Sequence, residues 1–485
     1  MLGGSVQSGM IYSILQEVTT AGVQGATPSW LGAVLGGGVA GAVASLIGHY
    51  LTWRNTEKTL KENRRLEGVR AQRARDLEDE RAQEAGLQKY FEQIGKLLVE
   101  QPLRRSTPGD NLSTVARAQT LAVLEGINSA RKRILIQFLY ETALLHNKPV
   151  ISLAEANLRK ANLGETILRD INLGEAILQE AFLREAILVR ADLSGADLRN
   201  ADLGQANLAG AKLGEANLGE AKLREVDLRE AKLSQADLRG ASLIGAKLRE
   251  ADLRNANLRA TRLGGANLRG ADLTGVDLRD ADLIGADMSG ANLREAKLGG
   301  AKLRQANLVR ANLRGANLEE ANLSKANLGG ASLRRASLRG ADLREAKISR
   351  ANLSSSVLRE AKIGGADLRG TDLSGANLQE ADLQEAKLQH TNFDSANLLA
   401  TNLQGADLTG ANLTGAMERK TDERDRLSFG LRSISGSPPP RPSSTPVSLD
   451  RLKQAASLKS ATMPDGQKYE DLKDKEDNGE DGSSS

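Results

Sequence analysis

The chain carries a large apolar residue at every fifth position from Leu153 to Leu413, a run of 53 consecutive pentapeptides in one frame. The central residue is Leu in 49 of these repeats, and the residue two places before it is Ala in 43. Most of the remaining positions are polar or glycine. A repeat of this length and regularity predicts a solenoid, whose outer surface is the natural place for its function.

A period of five residues fits neither standard element of secondary structure. On an α-helix the leucines would wander around the cylinder, because five residues advance by about 140°. On a flat strand successive leucines would point to opposite faces, because five is an odd number. The pattern is satisfied if the chain turns a corner in each repeat, so that four repeats close a coil of about 20 residues. At about 4.8 Å per coil, the repeats predict a rod roughly 60 Å long.

The repeats resemble the pentapeptide-repeat family, whose motif is written A(D/N)LXX; one example is ADLSG-ADLRN-ADLGQ-ANLAG at 191–210. The resemblance covers residues 151–415 and implies a right-handed quadrilateral β-helix. Residues 114–141 are similar to the helical module that precedes the repeats in cyanobacterial membrane-anchored members of this family. Because the family includes gyrase-protecting proteins and scaffolds, the resemblance implies a fold and leaves the function open.

Residues 30–53 form an apolar stretch, WLGAVLGGGVAGAVASLIGHYLTW, that contains no Asp, Glu, Lys or Arg. As a helix this stretch would be about 36 Å long, which is enough to cross a bilayer with some tilt. Trp30, Tyr50 and Trp53 stand at its ends, where aromatic residues of the membrane interface are enriched. We therefore expect a transmembrane helix here. The alternatives are a Gly/Ala-rich linker and a buried helix of a soluble domain.

The basic residues after this stretch predict its orientation. Residues 54–75 hold eight basic and three acidic side chains, whereas no Lys or Arg occurs before Arg54. By the positive-inside rule the repeats would lie in the cytoplasm, anchored by a single pass to a plasma or thylakoid membrane. The same basic residues would also suit contact with anionic membrane lipid.

The expected fold class is therefore mainly β: a right-handed quadrilateral β-helix preceded by an α-helical segment with one transmembrane helix. Changes of composition divide the chain into six segments. They are an N-terminal tail at 1–29, the transmembrane helix at 30–53, a charged helical stalk at 54–110, a helical cap module at 111–150, the β-helix at 151–415 and a disordered tail with a short helix at 416–485.

The sequence offers little that an enzyme would need. It has no cysteine, which excludes thiol catalysis, disulfides and iron–sulfur centres. The histidines, His49, His146 and His390, are far apart, and none has a second histidine at metal-ligand spacing. Glycines are plentiful, but no phosphate-binding loop occurs. We expect no catalytic residue, no cofactor, no metal and no small-molecule substrate.

The charges of the repeat region argue against nucleic acid as a partner. Residues 151–415 carry 35 Asp and Glu against 36 Lys and Arg, whereas a protein that mimics DNA needs dense negative charge. Within the rod, residues 301–350 nevertheless hold 11 basic and 4 acidic side chains. We predict a basic interaction band here, the alternative being separately solvated corners. The members of the band are Arg304, Arg310, Arg314, Arg334, Arg335 and Arg339.

In the first coils the position just before the central residue is apolar instead of polar, at Ile167, Ile177, Phe182 and Ile187. Exposed apolar side chains that lie close together mark a covered surface or a partner surface. We expect the helix at 130–146 to cap the open edge of the first coil and to cover this patch. The alternative is that a separate protein covers it.

Together these features predict a membrane-anchored scaffold or adaptor that presents a rigid β-helix to a protein partner. The alternatives are a regulatory subunit of a membrane complex and a DNA mimic that binds a topoisomerase, which the balanced charge disfavours. The expected partners are membrane lipid and an unidentified protein. The transmembrane helix or the stalk would be the place where copies of the chain form a homo-oligomer.

Overall fold

The computed structural model describes residues 38–99, 103–107, 109–146, 149–419, 444–470 and 473. The repeat solenoid lies between the third helix and the first strand, and the chain divides into two units, Met1–Ala85 and Gly86–Ser485. The elements in chain order are α1 (Gly38–Val99), a 3-10 helix (Leu103–Arg105), α2 (Asn111–Gly126), α3 (Ser129–Glu141), β1 (Met417–Arg419), β2 (Ser444–Pro446) and α4 (Leu449–Leu452).

Residues twenty apart along the solenoid are joined by parallel β-bridges, from Asn157 with Ile177 to Asn397 with Met417. The backbone hydrogen bonds run from coil to coil; the Ile177 amide, for example, donates to the Ala156 carbonyl at 2.9 Å. The bridges confirm the prediction of a four-sided coil with 20 residues per turn.

We number the four faces of the solenoid in the order in which the chain enters them. The first face contains Asn172 and every twentieth residue after it, and the second, third and fourth faces start in the same way from Ile177, Phe182 and Ile187. Each face contributes one short strand per coil, and each corner consists of the two residues that follow a central residue.

The columns of Leu and Ala fill the interior, as the sequence predicts. Leu313 is 1 % exposed and Ala286 is 0 % exposed, and their equivalents are buried to the same degree. Where Thr replaces Ala, its hydroxyl also points inward and finds an acceptor. The hydroxyl of Thr261 donates to the Leu238 carbonyl at 2.9 Å. Because a buried hydroxyl without a partner is costly, this bond explains why the small inward site tolerates Thr.

Each corner is a tight turn with a left-handed residue. Every fifth residue from Glu155 to Gly415 has φ between 55° and 68°. The next amide donates back to the central carbonyl, as from Ala316 to Leu313 at 3.0 Å. A positive φ at the third residue of such a turn is the type II arrangement. Most of these residues are not glycine, so the ladders and the leucine core must hold them in a costly conformation.

The N-terminal end of the solenoid is covered by α2 and α3. The Arg117 guanidinium donates to the carbonyls of Ser152 and Ala154 at 3.2 and 2.8 Å. The Lys132 ammonium donates to the Asn157 carbonyl at 2.9 Å. These bonds satisfy backbone groups of the first coil that have no preceding strand to pair with. The end of α1 completes this cap, where Leu87, Tyr90 and Ile94 are buried and the Tyr90 hydroxyl lies 2.7 Å from that of Thr120.

The C-terminal end continues beyond the expected boundary at 415. After β1 and β2 pair antiparallel, Ser457 bridges Asp407 and Thr462 bridges Asn412, residues fifty apart in place of twenty. The chain thus resumes the coil after an insertion, with α4 where the third-face strand would stand. Residues 456–465, ASLKSATMPD, show the repeat motif that permits this. Here the structure differs from the expected disordered tail.

The prediction of a transmembrane helix at 30–53 is wrong, and so is the single-pass localisation built on it. Within the described part of the chain, no helix is long and apolar enough to cross a membrane. Beyond Trp53, helix α1 runs on without a break into charged residues. Tyr50 and Trp53 lie in this helix, and Trp30 lies outside the described residues.

Candidate interaction surface on the first face of the rod

Arginines on the rod are paired wherever the repeat reads Asp-Leu-Arg. In Asp252-Leu253-Arg254, the Arg254 guanidinium donates to the two carboxylate oxygens of Asp252 at 2.8 and 2.7 Å. These hydrogen bonds hold the pKa of Asp252 below its ordinary value, although partial burial raises it. All seven Asp-Leu-Arg sequences make this pair: Asp197–Arg199, Asp227–Arg229, Asp237–Arg239, Asp252–Arg254, Asp277–Arg279, Asp342–Arg344 and Asp367–Arg369.

Two arginines of the first face lack such a partner because the acidic residue is replaced. In Asn312-Leu313-Arg314, the Asn312 side chain accepts a hydrogen bond from the backbone amide of Arg314 at 3.2 Å, as an aspartate would. Unlike an aspartate, however, Asn312 carries no charge that could pair with the guanidinium group. Arg334 follows Ser332 in the same way. The described ion pairs of this stretch use other side chains: Arg294–Glu295, Lys325–Glu345, Arg339–Glu360 and Arg344–Asp342.

Three further arginines lie at left-handed corner positions along the edges of this face. The residues twenty before and twenty after each of them carry no acidic group with which the arginine could pair. At an equivalent corner, Arg190 forms an ion pair at 2.7 Å with Asp170, twenty residues earlier. Arg310 and Arg350 instead have glycines in the coils on either side, with Gly330 between them. Arg335 is likewise flanked by Gly315 and Ser355.

The result is a surface that we call the arginine face: Arg310, Arg314, Arg334, Arg335 and Arg350. All five side chains are exposed, and they line the two edges of the first face over three successive coils. The strands between the edges carry neutral polar residues at the outward position, and these three coil segments contain no acidic residue. The outward residues are Asn312, Ser332 and Asn352.

The structure divides the basic band that the sequence predicts. Arg310, Arg314, Arg334 and Arg335 share the first face. Arg304 stands at the corner after the third face, and Arg339 stands after the second face, where it pairs with Glu360 at 3.4 Å. Arg350 joins the arginine face because it lies forty residues, and therefore two coils, from Arg310. Comparing residues that lie twenty or forty apart in the sequence would have identified Arg350 as a member of this face.

The predicted apolar patch is spread over three faces. Ile167 bridges Ile187 on the fourth face, whereas Ile177 lies on the second face and Phe182 on the third. Ile167, Ile177 and Phe182 are 53 %, 39 % and 44 % exposed. The helices of the N-terminal cap therefore cover the edge of the first coil but leave these side chains in contact with solvent. Whether a separate protein covers them stays a prediction.

The described residues offer no group of three or more His, Asp and Glu side chains that could hold a metal ion. Burial raises the pKa of Tyr90, although the hydrogen bond with Thr120 lowers it. Burial lowers the pKa of Lys132, and the nearby Glu125 opposes this change. Both groups belong to the N-terminal cap, where their polar atoms have partners.

Comparison with known proteins agrees with this architecture. The family model "Pentapeptide repeats (8 copies)" matches overlapping segments from 151–188 to 376–415, which together span 151–415 and more than half of the chain. No curated protein matches.

Solved structures of three repeat proteins are similar to parts of the chain. HetL, a pentapeptide repeat protein involved in heterocyst differentiation regulation from the cyanobacterium Nostoc sp. strain PCC 7120, is 32 % identical; the match covers 56 % of this chain and 95 % of HetL, with a TM-score of 0.21. Rfr23 from the cyanobacterium Cyanothece 51142 is 36 % identical over 19 % of this chain and 58 % of its own, with a TM-score of 0.16. QnrB1, a plasmid-mediated fluoroquinolone resistance protein, is 18 % identical over 39 % of this chain and 97 % of its own, with a TM-score of 0.21. On the family match, the chain belongs to the pentapeptide-repeat family.

Proposed function

We propose that this chain is a scaffold or adaptor that binds a protein partner through the arginine face of its β-helix. The observation that carries the proposal is the contrast between paired and unpaired arginines on one rod. Seven repeats place Asp beside Arg, whereas Arg314 and Arg334 have Asn or Ser at that position. The other arginines of the rod without a described ion pair or side-chain hydrogen bond, Arg169, Arg224, Arg262 and Arg304, lie apart from one another, whereas the five arginines of the arginine face lie together within three coils.

The geometry favours an acidic protein surface as the ligand. Arg314 and Arg334 lie in adjacent coils, about 4.8 Å apart along the axis, and like charges at strand spacing are mildly destabilising. A row of carboxylates relieves this repulsion and accepts planar, two-pronged hydrogen bonds from guanidinium groups. The neutral amides and hydroxyl between the two edges add hydrogen-bonding capacity at little desolvation cost.

The rod supplies what a scaffold needs besides a binding site. Because each coil is hydrogen-bonded to the next along all four faces, two points on the surface keep a fixed distance and direction. Nucleic acid suits this surface less well, since the arginine face has no aromatic side chain on which bases could stack.

The proposal is tested by pairing the arginines without removing them. The double variant Asn312→Asp and Ser332→Asp creates two Asp-Leu-Arg sequences and should neutralise Arg314 and Arg334. The control, Asn257→Asp with Asn267→Asp, makes the same change before Arg259 and Arg269 on the second and fourth faces. Affinity purification with quantitative mass spectrometry should show one set of proteins lost from the first variant and retained by the control. If both variants retain the same proteins as the unmodified chain, the arginine face is not the binding site.

A further inference from the structure

We propose that the arginine face also binds an acidic segment of the same chain, residues 474–481. This segment reads DKEDNGED, with five carboxylates against one lysine, and it lies beyond the described residues. Its charge complements the five guanidinium groups of the arginine face. The inference goes beyond the proposed function, because it assigns a ligand that the chain itself supplies.

The described part of the chain ends beside the first face, a few residues before this segment. Thr462 extends the first face by a parallel bridge to Asn412, and its amide donates to the Ala411 carbonyl at 2.8 Å. The chain then reverses, and Lys468 pairs antiparallel with Thr462. The last described residues therefore leave the rod at the end of the first face, and the acidic segment starts six residues after Lys468.

The distances permit the contact. Arg350 and Arg334 lie in coils that are four and five strand spacings from Thr462, which is about 19 and 24 Å. Asp481 lies eleven residues after Glu470, and an extended chain over that interval spans about 36 Å. The intervening part of the first face carries Asp372 and Asp394, which repel carboxylates, so the attraction concentrates on the arginine face.

The energetics fit a reversible contact. A single exposed ion pair is worth little, and salt at physiological concentration screens it. Several pairs that form together on a tethered segment gain from an effective concentration in the millimolar range. A bound acidic segment would compete with an acidic partner for the same arginines. Binding of the partner would then require its release, which makes the segment a built-in regulator of the surface.

The absence of cysteine makes the test direct, because any engineered pair is unique. Asn478→Cys is combined with Ser332→Cys in the middle of the arginine face, or with Asn322→Cys on the opposite, third face as the matched control. Disulfide formation under mild oxidation should be about tenfold faster for the Ser332 pair at low salt, and 1 M salt should slow the Ser332 pair while leaving the Asn322 pair unchanged. Replacing the five carboxylates of 474–481 by amides should slow the Ser332 pair to the same extent.

Three results would overturn the inference. The first is an equal rate for the two pairs, because even a tether without attraction should favour the face at which the chain leaves the rod. The second is a preference that salt and the amide substitutions leave unchanged. The third is a covalent dimer as the main product, which would assign the acidic segment to a second copy. None of these results bears on the variants that test the proposed function, because those variants are scored by the proteins that they bind.

Discussion

Two adjacent glycines at one corner of the rod should respond in opposite directions to the same substitution. Gly265 has φ of +64°, and a Cβ added to it meets nothing within 4 Å. Gly264 lies outside the left-handed region, and its added Cβ would lie 3.8 Å from the Ile284 carbonyl oxygen, an ordinary van der Waals contact. Neither alanine clashes with a neighbour, so only the backbone conformation separates the two positions.

The expected magnitudes follow from two opposing effects. Alanine loses less conformational entropy on folding than glycine, which stabilises a protein by about 0.4–1 kcal/mol where the backbone permits it. In the left-handed region an L-residue costs about 1–2 kcal/mol. Gly264→Ala should therefore raise the free energy of unfolding, and Gly265→Ala should lower it. The entropy effect cancels between the two variants, so they should differ by about 1–2 kcal/mol.

Urea unfolding followed by circular dichroism measures this difference. At one urea concentration the unfolding equilibrium constants of the two variants should differ by about 5- to 30-fold, with Gly265→Ala the less stable. The unmodified chain should fall between them. Equal midpoints, or a lower midpoint for Gly264→Ala, would show that the corners do not impose the left-handed conformation on which this reasoning depends.

Other perturbations test the core, the ion pairs and the N-terminal cap. Ala286→Phe should overpack the interior and cost about 1–3 kcal/mol or more, whereas Arg294→Phe at an exposed corner should cost much less; equal thermal melts would mean that the inward positions are misassigned. Asp277→Asn should lower stability at pH 7, and the difference in stability between this variant and the unmodified chain should disappear in acid. The hydrogen bond from its arginine partner lowers the pKa of Asp277, despite the opposing effect of burial, so its contribution is present above about pH 4 and is lost as the pH falls through the lowered value. A gap in urea midpoints that is the same at pH 7 and pH 2.5 would contradict this. Tyr90→Phe removes the hydrogen bond to Thr120 and should cost about 1 kcal/mol, seen as faster proteolysis of the cap; an unchanged rate would mean that the bond contributes nothing.

The sequence predicts the solenoid because its period has one physical solution. A large residue at every fifth position can be buried only if the chain turns once per repeat, and the small partner two places earlier then has to be inward as well. Leu313 and Ala311 are buried on this account alone. The partners of charged side chains are harder to predict, because they depend on the residue before the leucine and on residues twenty away. A count of basic residues over 301–350 includes all four faces of the rod. It therefore assigns Arg304 and Arg334 to one band although they lie on different faces.

The two ends of the chain show what composition cannot decide. The apolar residues 30–53 have the length and the aromatic ends of a membrane span, but their described part, from Gly38 onwards, continues as one helix into charged residues. At the other end, Leu458 and Met463 carry the repeat motif after an interruption that hides their relation to Asp407 and Asn412. In both cases the deciding information is which distant segment the residues adjoin, and local composition does not contain it.

Because one coil contains 20 residues, the position of a repeat along the rod also fixes the face on which the repeat lies. Removing one pentapeptide shortens the rod by only about 1.2 Å, but it turns everything beyond the deletion by a quarter turn. Removing four restores the original orientation at a cost of about 4.8 Å. Loss or gain of single repeats between Arg314 and Arg334 would therefore send these arginines to different sides of the rod, whereas changes by whole coils would leave them in line. The number of repeats between two surface residues thus determines the angle between them around the axis of the rod. A change in that number that is not a multiple of four would place the residues on different faces, while the buried core would stay the same.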